Sequence, residues 1–297
     1  MELDIINLNK FYGHNHAVRN VSLQLTSGIW GLIGANGAGK TTLMNMLAGI
    51  MKPSSGYVLY DGENIGDMGK RYRDILGYLP QSFGYHVGFT VNDYLEYVAA
   101  LKGLDKKDSR IRIDELLFAL SISDCKYKKI RKLSGGMQRR VGIAQSMLNK
   151  PSVLILDEPT SGLDPGERVR FRNYISEFAQ NRIVIISTHI VSDVEYIAAN
   201  NMIMKAGQIV DVGCTDSLLK AISGMVFSTE ISQSELPNYE KEVCIVSIRD
   251  EHDKVMSIRY IANSPISANS IPIEPRLEDL YVWLFRDYPS ERRNFHV

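Results

Sequence analysis

The segment from Gly34 to Thr41 carries the strongest chemical signature in the sequence. Its residues, Gly-Ala-Asn-Gly-Ala-Gly-Lys-Thr, fit the spacing G-x-x-x-x-G-K-[ST] between a predicted strand and a predicted helix. Glycines let the backbone curl until successive N–H groups point inward, and the following helix adds the positive end of its dipole. Lys40 would supply a mobile charge for β- and γ-phosphates, and the Thr41 hydroxyl would bind Mg²⁺. The segment therefore predicts a nucleotide phosphate site rather than an incidental glycine-rich turn.

Two carboxylates, Asp157 and Glu158, follow the apolar run Val-Leu-Ile-Leu. A buried parallel strand delivers its C-terminal residues to the crevice where α/β proteins bind ligands. Asp157 could then hold the Mg²⁺ shell, and Glu158 could act as a general base on the attacking water. Helix capping or a surface turn at Glu-Pro is the alternative, and the phosphate loop makes it the weaker one.

A second anion-binding helix start is predicted at the sequence LSGGMQ. The Ser134 hydroxyl and the free N–H groups of Gly135 and Gly136 precede a helical pattern. A single nucleotide needs only one phosphate loop, so a second loop about a hundred residues later suggests a nucleotide held by another copy. Read alone, the segment is more often an ordinary helix N-cap.

The secondary-structure elements that must position these phosphate-binding and acidic residues are predicted to form one α/β unit over residues 1–220, because short apolar runs alternate with helical patterns. Residues 40–50 predict a helix with Leu43, Met46, Leu47 and Ile50 on one face. The region from about residue 85 to 150 is predicted to be mostly helical, and the sequence MIMKAGQIVDVG predicts a hairpin. The runs that predict buried strands are IWGLIG (29–34), SVLILDEP (152–159) and RIVIISTH (182–189).

The character of the chain changes after Lys220. Three alternating stretches predict an antiparallel sheet, and residues 276–287 predict an amphipathic helix. Residues 221–297 are therefore expected to form a small α+β accessory domain.

Composition excludes several classes of protein. The 297 residues carry 34 basic and 34 acidic side chains, so the net charge is zero and a strongly basic nucleic-acid binder is not expected. No apolar run is long enough for a membrane-spanning helix, and the mixed acidic start lacks the layout of a secretory signal. Three widely spaced cysteines predict free thiols in a reducing cytosol, without a disulfide framework or zinc site.

In their order along the chain, these segments resemble the ATP-binding subunit of an ABC transporter, a P-loop NTPase with a mixed sheet core and a helical subdomain. The resemblance covers residues 1–220, about two thirds of the chain. Its seven markers are Tyr12 at the adenine, Gly34–Thr42 as Walker A, Gln81 as the lid-loop glutamine, Leu133–Gln138 as the signature, Asp157 and Glu158 as Walker B with its glutamate, Ser161–Asp164 as the D-loop, and His189 as the switch histidine.

The resemblance implies ATP and Mg²⁺ as ligands and assigns roles to the matched residues. Catalytic roles fall to Glu158, His189 and Gln81, and metal binding falls to Thr41, Gln81 and Asp157. Nucleotide contacts are implied for Tyr12, Gly34, Asn36, Gly37, Ala38, Gly39, Lys40, Thr41, Thr42, Ser134, Gly135, Gly136 and Asp164.

By the same resemblance, two such chains pair head to tail and sandwich each ATP between the Walker A loop of one and the signature of the other. Ser134, Gly136 and Asp164 would act across that interface, while His189 would contact the γ-phosphate within its own chain. Two departures, Ala35 where proline is usual and Met137 where glutamine is common, leave the phosphate-binding and catalytic positions intact.

The implied partners are a polytopic membrane permease and a second ATP-binding subunit, most simply a homodimer, without nucleic acid. The chain is expected in the cytoplasm, peripheral on the inner face of a bacterial cell membrane, and the layout resembles exporters more than importers. The alternative is a soluble ABC-type ATPase that acts on a ribosome or DNA, whereas a GTP switch is excluded by the lack of a downstream N-K-x-D.

Two further segments are open to more than one interpretation. The basic run at 126–132 is expected to be a solvated face, with contact to anionic lipid as a minor alternative. The aromatic run at 82–89 could shape a groove for a permease helix or simply pack locally.

Overall fold

The computed structural model describes residues 1–250 and 255–285, and its internal contacts divide the chain into two compact units, Met1–Cys214 and Thr215–Val297. The sequence placed this division at residue 220. The structural division comes a little earlier because the short helix Thr215–Leu219 belongs to the second unit.

The first unit contains an antiparallel sheet in the strand order β2-β1-β4-β5. Along β1, Leu3, Ile5 and Leu8 are almost fully buried and alternate with more accessible residues, as expected for a sheet with one face on a core. The bounds are β1 Glu2–Tyr12, β2 Asn15–Thr26, β4 Ser55–Tyr60 and β5 Glu63–Asn64.

The second sheet of this unit is mixed and has the order β10-β9-β3-β8-β7-β6. Only β10 runs antiparallel to its neighbour, so the predicted hairpin and the predicted mixed sheet core are confirmed. Every residue of β7 and β8 is buried, which explains their uninterrupted apolar sequences. The bounds are β3 Gly28–Ile33, β6 Leu76–Leu79, β7 Val153–Asp157, β8 Ile183–Thr188, β9 Asn200–Lys205 and β10 Gln208–Gly213.

Helices α4, α5 and α6 lie within the part of the chain expected to be helical. Helix α5 begins at Lys106, earlier than its apolar pattern indicates, because Asp105 caps it by accepting hydrogen bonds from the N–H groups of Lys107 and Asp108. The helices are α1 Lys40–Leu47, α2 Ile65–Met68, α3 Lys70–Ile75, α4 Val91–Leu101, α5 Lys106–Ala119, α6 Gly135–Ser146, α7 Pro165–Phe178 and α8 Ser192–Glu195, with 3₁₀ turns at Ser123–Cys125 and Ile130–Lys132.

One expectation for α1 is wrong. The sequence pattern predicts Ile50 on the same helical face as Leu43 and Leu47, but the helix ends at Leu47 and Ile50 is 65% exposed. Gly49 turns the chain with a φ of 68°, and the N–H of Ile50 bonds back to the Asn45 carbonyl at 3.0 Å. This C-terminal glycine motif rotates Ile50 out of the helical periodicity.

The second unit contains an antiparallel sheet in the order β12-β13-β11-β14, so the predicted antiparallel appendage is confirmed. Phe227 stacks on Tyr260 in its core, and the fully buried Asp279 pairs with Arg259. The predicted helix is observed from Leu277 to Phe285, and the end at residue 287 lies outside the described residues. The elements are α9 Thr215–Leu219, a 3₁₀ turn at Lys220–Ile222, β11 Val226–Ser232, α10 Leu236–Glu242, β12 Cys244–Asp250, β13 Val255–Ile261, β14 Ile271–Pro272 and α11 Leu277–Phe285.

The length and hydropathy of the helices bear on membrane crossing. Across residues 1–250 and 255–285, no helix is long and apolar enough to span a bilayer.

Candidate functional site

The loop between β3 and α1 has the backbone that a phosphate nest requires. Gly37 and Gly39 adopt φ angles of 80° and 105°, in the region that favours glycine. A Cβ on Gly39 would lie 2.4 Å from the Ala17 carbonyl oxygen, and one on Gly34 would lie 2.4 Å from that of Met204. The glycines therefore allow both the curl of the loop and its close approach to neighbouring backbone.

Lys40 is the first residue of α1 and is only 6% exposed. Its Nζ donates hydrogen bonds to the carbonyls of Gly34 at 2.7 Å and Ala35 at 3.1 Å. Burial lowers the pKa of Lys40, and the nearby Glu158 and Asp157 carboxylates oppose that shift. The ammonium group is thus held over its own loop by neutral oxygens, where an anion would be a stronger partner.

An open cavity of about 390 Å³ lies at this loop, within the usual size range of small-molecule sites. It brings together residues that are far apart in sequence. The predicted site residues in its wall are Tyr12, Asn36, Gly37, Gly39, Lys40, Thr41, Thr42, Gln81 and Glu158. Gly34 and Ala38 do not line it; Gly34 lies close to the Met204 carbonyl, and Ala38 is buried.

The cavity wall also contains six residues that the sequence did not indicate: Asn15, His16, Ala17, Arg19, Ala206 and Gly207. The first four follow Tyr12 at the start of β2, so their nearness to the aromatic marker was an available signal. The last two form the turn between β9 and β10, and nothing local in the sequence connects that turn with the phosphate loop.

Tyr12 stands at the rim of the cavity and is 46% exposed. Its hydroxyl donates to the Met51 sulfur at 3.0 Å, and the Lys10 ammonium lies 5.6 Å from its ring centroid. These contacts hold the ring at the end of β1 while leaving part of it accessible. An accessible aromatic face at a cavity rim can stack on a planar base.

Asp157 ends β7 and is 1% exposed. The Ser187 hydroxyl donates to its Oδ1, whereas its buried Oδ2 accepts no hydrogen bond from the described residues. A buried carboxylate oxygen without a donor fits a hard cation such as Mg²⁺. The described residues contain no group of three or more His, Cys, Asp and Glu side chains arranged for a metal.

Glu158 and His189 form a contact of 2.6 Å between Oε2 and Nδ1. Glu158 has a φ of 55°, and its N–H bonds to the Ser187 carbonyl and hydroxyl at 3.2 and 3.0 Å. The left-handed backbone is costly for glutamate, and such strain concentrates at functional sites. His189 was expected near a γ-phosphate, and it lies against the carboxylate that faces the same cavity.

Asp157 and His189 are not part of the cavity wall itself, and the last four predicted residues, Ser134, Gly135, Gly136 and Asp164, do not line the cavity either. The Ser134 hydroxyl caps α6 by accepting from the Met137 N–H at 3.2 Å. Asp164 caps α7 by accepting from the Glu167 N–H at 2.8 Å. The structure therefore places the predicted second anion-binding start at a capped helix N-terminus outside the cavity.

Comparisons with known proteins agree with this geometry. Residues 18–161 match the family model described as ABC transporter. Over 232 residues the chain is 37% identical to the ABC transporter ATP-binding protein YxlF of Bacillus subtilis, covering 78% of this chain and 77% of that protein. Over 224 residues it is 31% identical to the Nod factor export ATP-binding protein I of Burkholderia orbicola, covering 75% and 74% of the two chains.

Solved structures show the same fold. The dimeric structure of MJ0796, a bacterial ABC transporter cassette, superposes with a TM-score of 0.67 at 24% identity. The match covers 71% of this chain and 98% of the other, so nearly all of that cassette has a counterpart here.

Proposed function

The chain belongs to the ABC transporter family as an ATP-binding subunit with ATPase activity, and we propose that it powers a separate membrane permease in the direction of export. The export direction is supported by the relative from Burkholderia orbicola, whose name specifies Nod factor export. On this proposal the protein is cytoplasmic and reaches the inner face of the cell membrane through the permease.

One observation carries the mechanistic part of the proposal. The cavity collects the phosphate loop, Gln81 and Glu158, while Ser134 and Asp164 cap helices outside it. A triphosphate seated in the cavity would have no contact with the second anion-binding start of the same chain. A second copy, turned head to tail, would supply its own Ser134 and Gly136 to the exposed side of that triphosphate.

Dimer closure would then convert binding energy into movement. ATP favours the closed state because only there are both anion-binding starts filled, and loss of the γ-phosphate removes that preference. A population shift of this kind can move an attached permease without any covalent step between the subunits. Across the same interface, Asp164 would approach the nucleotide of the partner.

Within each site the residues have distinct tasks. Lys40 exchanges its two loop carbonyls for phosphate oxygens, and Tyr12 stacks on the adenine. Glu158 accepts a proton from the attacking water, and its contact with His189 orients the carboxylate. Thr41, Gln81 and Asp157 would hold Mg²⁺, which neutralises charge on the phosphates when bound.

The segment at 82–89 is the part of the surface proposed to receive a permease helix. Phe83 packs edge-on against Tyr94, and Phe89 does the same against Tyr97, so aromatic packing shapes the segment. Val87 is nevertheless 61% exposed. The segment thus combines a packed base with accessible apolar surface.

Co-expression of this chain with candidate multi-span membrane proteins, beginning with any that a neighbouring gene encodes, tests the proposal. We expect a detergent-stable complex with two ATP-binding chains, and export of its solute that stops with Glu158→Gln. Co-sedimentation of the chain with ribosomes or DNA, and no complex with a multi-span protein, would favour the ribosome- or DNA-acting alternative and overturn the export proposal.

A further inference from the structure

Helix α6 carries two adjacent arginines that the mechanism above does not use. Arg139 is 7% exposed and Arg140 is 8% exposed, so both guanidinium groups are buried. We propose that they are positioning residues that make α6 the mechanical link between the chain's own nucleotide cavity and the segments it presents to a second copy. This inference rests on the proposed function, because only a dimer has two sites to link.

Arg139 connects α6 with the catalytic side of the cavity. Its Nη1 donates to the carbonyls of Pro80 at 2.7 Å and Gln81 at 3.0 Å, and its Nη2 donates to the carbonyl of Asp157. One planar fork therefore joins the loop that carries Gln81 to the end of β7. A lysine in this place keeps the charge but cannot reproduce the fork.

Arg140 contacts a different region, the helix that Asp164 caps and the end of α5. Its Nη2 lies 2.5 Å from Glu167 Oε1, and its Nη1 donates to the carbonyls of Leu120 and Ser121 at 3.1 Å. Glu167 also accepts the Asp164 N–H at 3.2 Å, while Asp164 accepts the Glu167 N–H. The arginine thereby holds the cap on which the position of Asp164 depends.

Close backbone contact reinforces this connection at the start of α6. A Cβ on Gly136 would lie 2.5 Å from the Gly162 carbonyl oxygen, so the signature turn and the D-loop are in contact. A displacement of Gln81 or Asp157 therefore reaches Ser134 and Asp164 through one helix. In the dimer, those two residues face the nucleotide of the other copy, which couples the two sites.

Conservative variants of the full chain test this coupling: Arg139→Lys and Arg140→Lys, with the exposed Arg131→Lys as the matched control. The measurements are ATP hydrolysis against ATP concentration and the ATP affinity of the isolated chain. We expect Arg139→Lys to lower kcat about tenfold with ATP affinity changed less than about twofold, since interactions that position the reaction act on kcat. The unaltered chain should hydrolyse ATP with a Hill coefficient above 1 because the dimer has two sites, and Arg140→Lys should lower that coefficient toward 1. Arg131→Lys should behave as the unaltered chain.

A second variant keeps the test decisive if Arg140→Lys fails to fold. Glu167→Gln retains an oxygen for the Asp164 N–H but loses the charge that pairs with Arg140, so it should reduce the Hill coefficient in the same way. Wild-type kcat in Arg139→Lys, or an unchanged Hill coefficient in both Arg140→Lys and Glu167→Gln, would overturn the inference.

ATP-dependent dimerisation of Glu158→Gln distinguishes a failure of this inference from a failure of the proposed function. If Glu158→Gln dimerises with ATP while the arginine and Glu167 variants keep full cooperativity, only the inference fails. If Glu158→Gln stays monomeric with ATP, the proposed function fails and the inference falls with it.

Discussion

Glu158 is the residue at which backbone strain, burial and chemistry coincide. Its φ of 55° is one that glutamate rarely adopts, and its carboxylate lies 2.6 Å from His189. Asp157 directly precedes it in the chain but has a different environment. One of its carboxylate oxygens accepts a hydrogen bond from Ser187, and the other is buried without a hydrogen-bond donor among the described residues. The different surroundings of the two adjacent acids are consistent with the different tasks proposed for them, proton transfer for Glu158 and metal binding for Asp157.

Glu158→Gln should abolish turnover while leaving nucleotide binding intact. The amide keeps the size of the side chain but cannot accept the proton of water, and loss of such a base lowers kcat by about 10²–10⁴-fold. Light scattering should show an ATP-dependent dimer that persists. Steady-state hydrolysis at the wild-type rate would contradict the assignment of the base.

Lys40→Ala should weaken ATP binding. Hydrogen bonds to charged groups contribute about 1.5–3 kcal/mol, which corresponds to roughly 10–100-fold in Kd. Calorimetric titration with ATP measures the effect, and Lys107→Ala is a suitable control because that lysine is exposed and does not line the cavity. Unchanged affinity in Lys40→Ala would require a different phosphate-binding group.

At the scale of elements, the decisive features are the loops that parallel strands deliver to one edge of the sheet. Strands β3, β7 and β8 lie side by side and run parallel, so the phosphate loop, Asp157 and His189 emerge at the same edge. Each strand is apolar because it is covered on both faces. The chemistry is thus confined to the positions where the strands end.

Gly39→Ala tests the geometry of the phosphate loop rather than its charge. A Cβ at this φ of 105° would be strained and would lie 2.4 Å from the Ala17 carbonyl oxygen. Backbone strain of this kind costs about 1–3 kcal/mol, so we expect both a lower free energy of unfolding and weaker ATP binding. Gly103→Ala, which also has positive φ but meets no neighbouring atom, is the control for strain without a clash.

Strand β6 places Tyr78 beside Asp157. Burial and the Asp157 carboxylate raise the pKa of Tyr78 to about 12. The folded chain therefore keeps this proton after the unfolded chain, with an ordinary pKa near 10, has released it. The contribution of the protonated Tyr78 to the free energy of unfolding is fully present below pH 10, and it is lost as the pH rises from 10 through 12.

Tyr78→Phe should therefore make the free energy of unfolding less dependent on pH in that window. Because the phenol is only partly buried, we expect the slope to change by less than about one proton. Urea unfolding between pH 9 and 12 measures it, with the exposed Tyr127→Phe as the control. Identical slopes in Tyr78→Phe and the unaltered chain would contradict the raised pKa.

At the scale of the whole molecule, the nucleotide site belongs to the first unit. All residues that line the cavity lie between Tyr12 and Gly207, whereas the second unit begins at Thr215. The second unit has its own core and its own buried ion pair, in which Asp279 accepts two hydrogen bonds from the Arg259 guanidinium. Stability of the second unit and ATP binding can therefore be varied separately.

Asp279→Ala should destabilise the second unit without changing ATP affinity. Removal of one partner leaves the Arg259 charge without its carboxylate, and breaking a buried pair costs about 3–5 kcal/mol. Proteolysis of the second unit together with calorimetric ATP titration checks both outcomes. The neighbouring exposed Glu278→Ala is the control, and a large loss of ATP affinity in Asp279→Ala would show that the two properties are not separable.

The local sequence was sufficient to predict the phosphate loop, the Asp157–Glu158 pair and the strands that carry them. A nest of N–H groups and an apolar strand that ends in carboxylates are built from consecutive residues, so their physics is visible in a short segment. The resemblance extended this to the family markers between Tyr12 and His189. The antiparallel sheet of the second unit was likewise predictable, because apolar and polar residues alternate along its strands.

Only the tertiary structure decided which distant groups meet. It brought Ala206 and Gly207 to the cavity wall, and it gave the adjacent Arg139 and Arg140 different sets of partners. These outcomes depend on long-range packing and backbone hydrogen bonds between segments that share no local pattern. Residue types and spacing therefore indicated the chemistry of this protein. The fold determined which distant residues contact one another, because such contacts depend on three-dimensional position and not on distance along the chain.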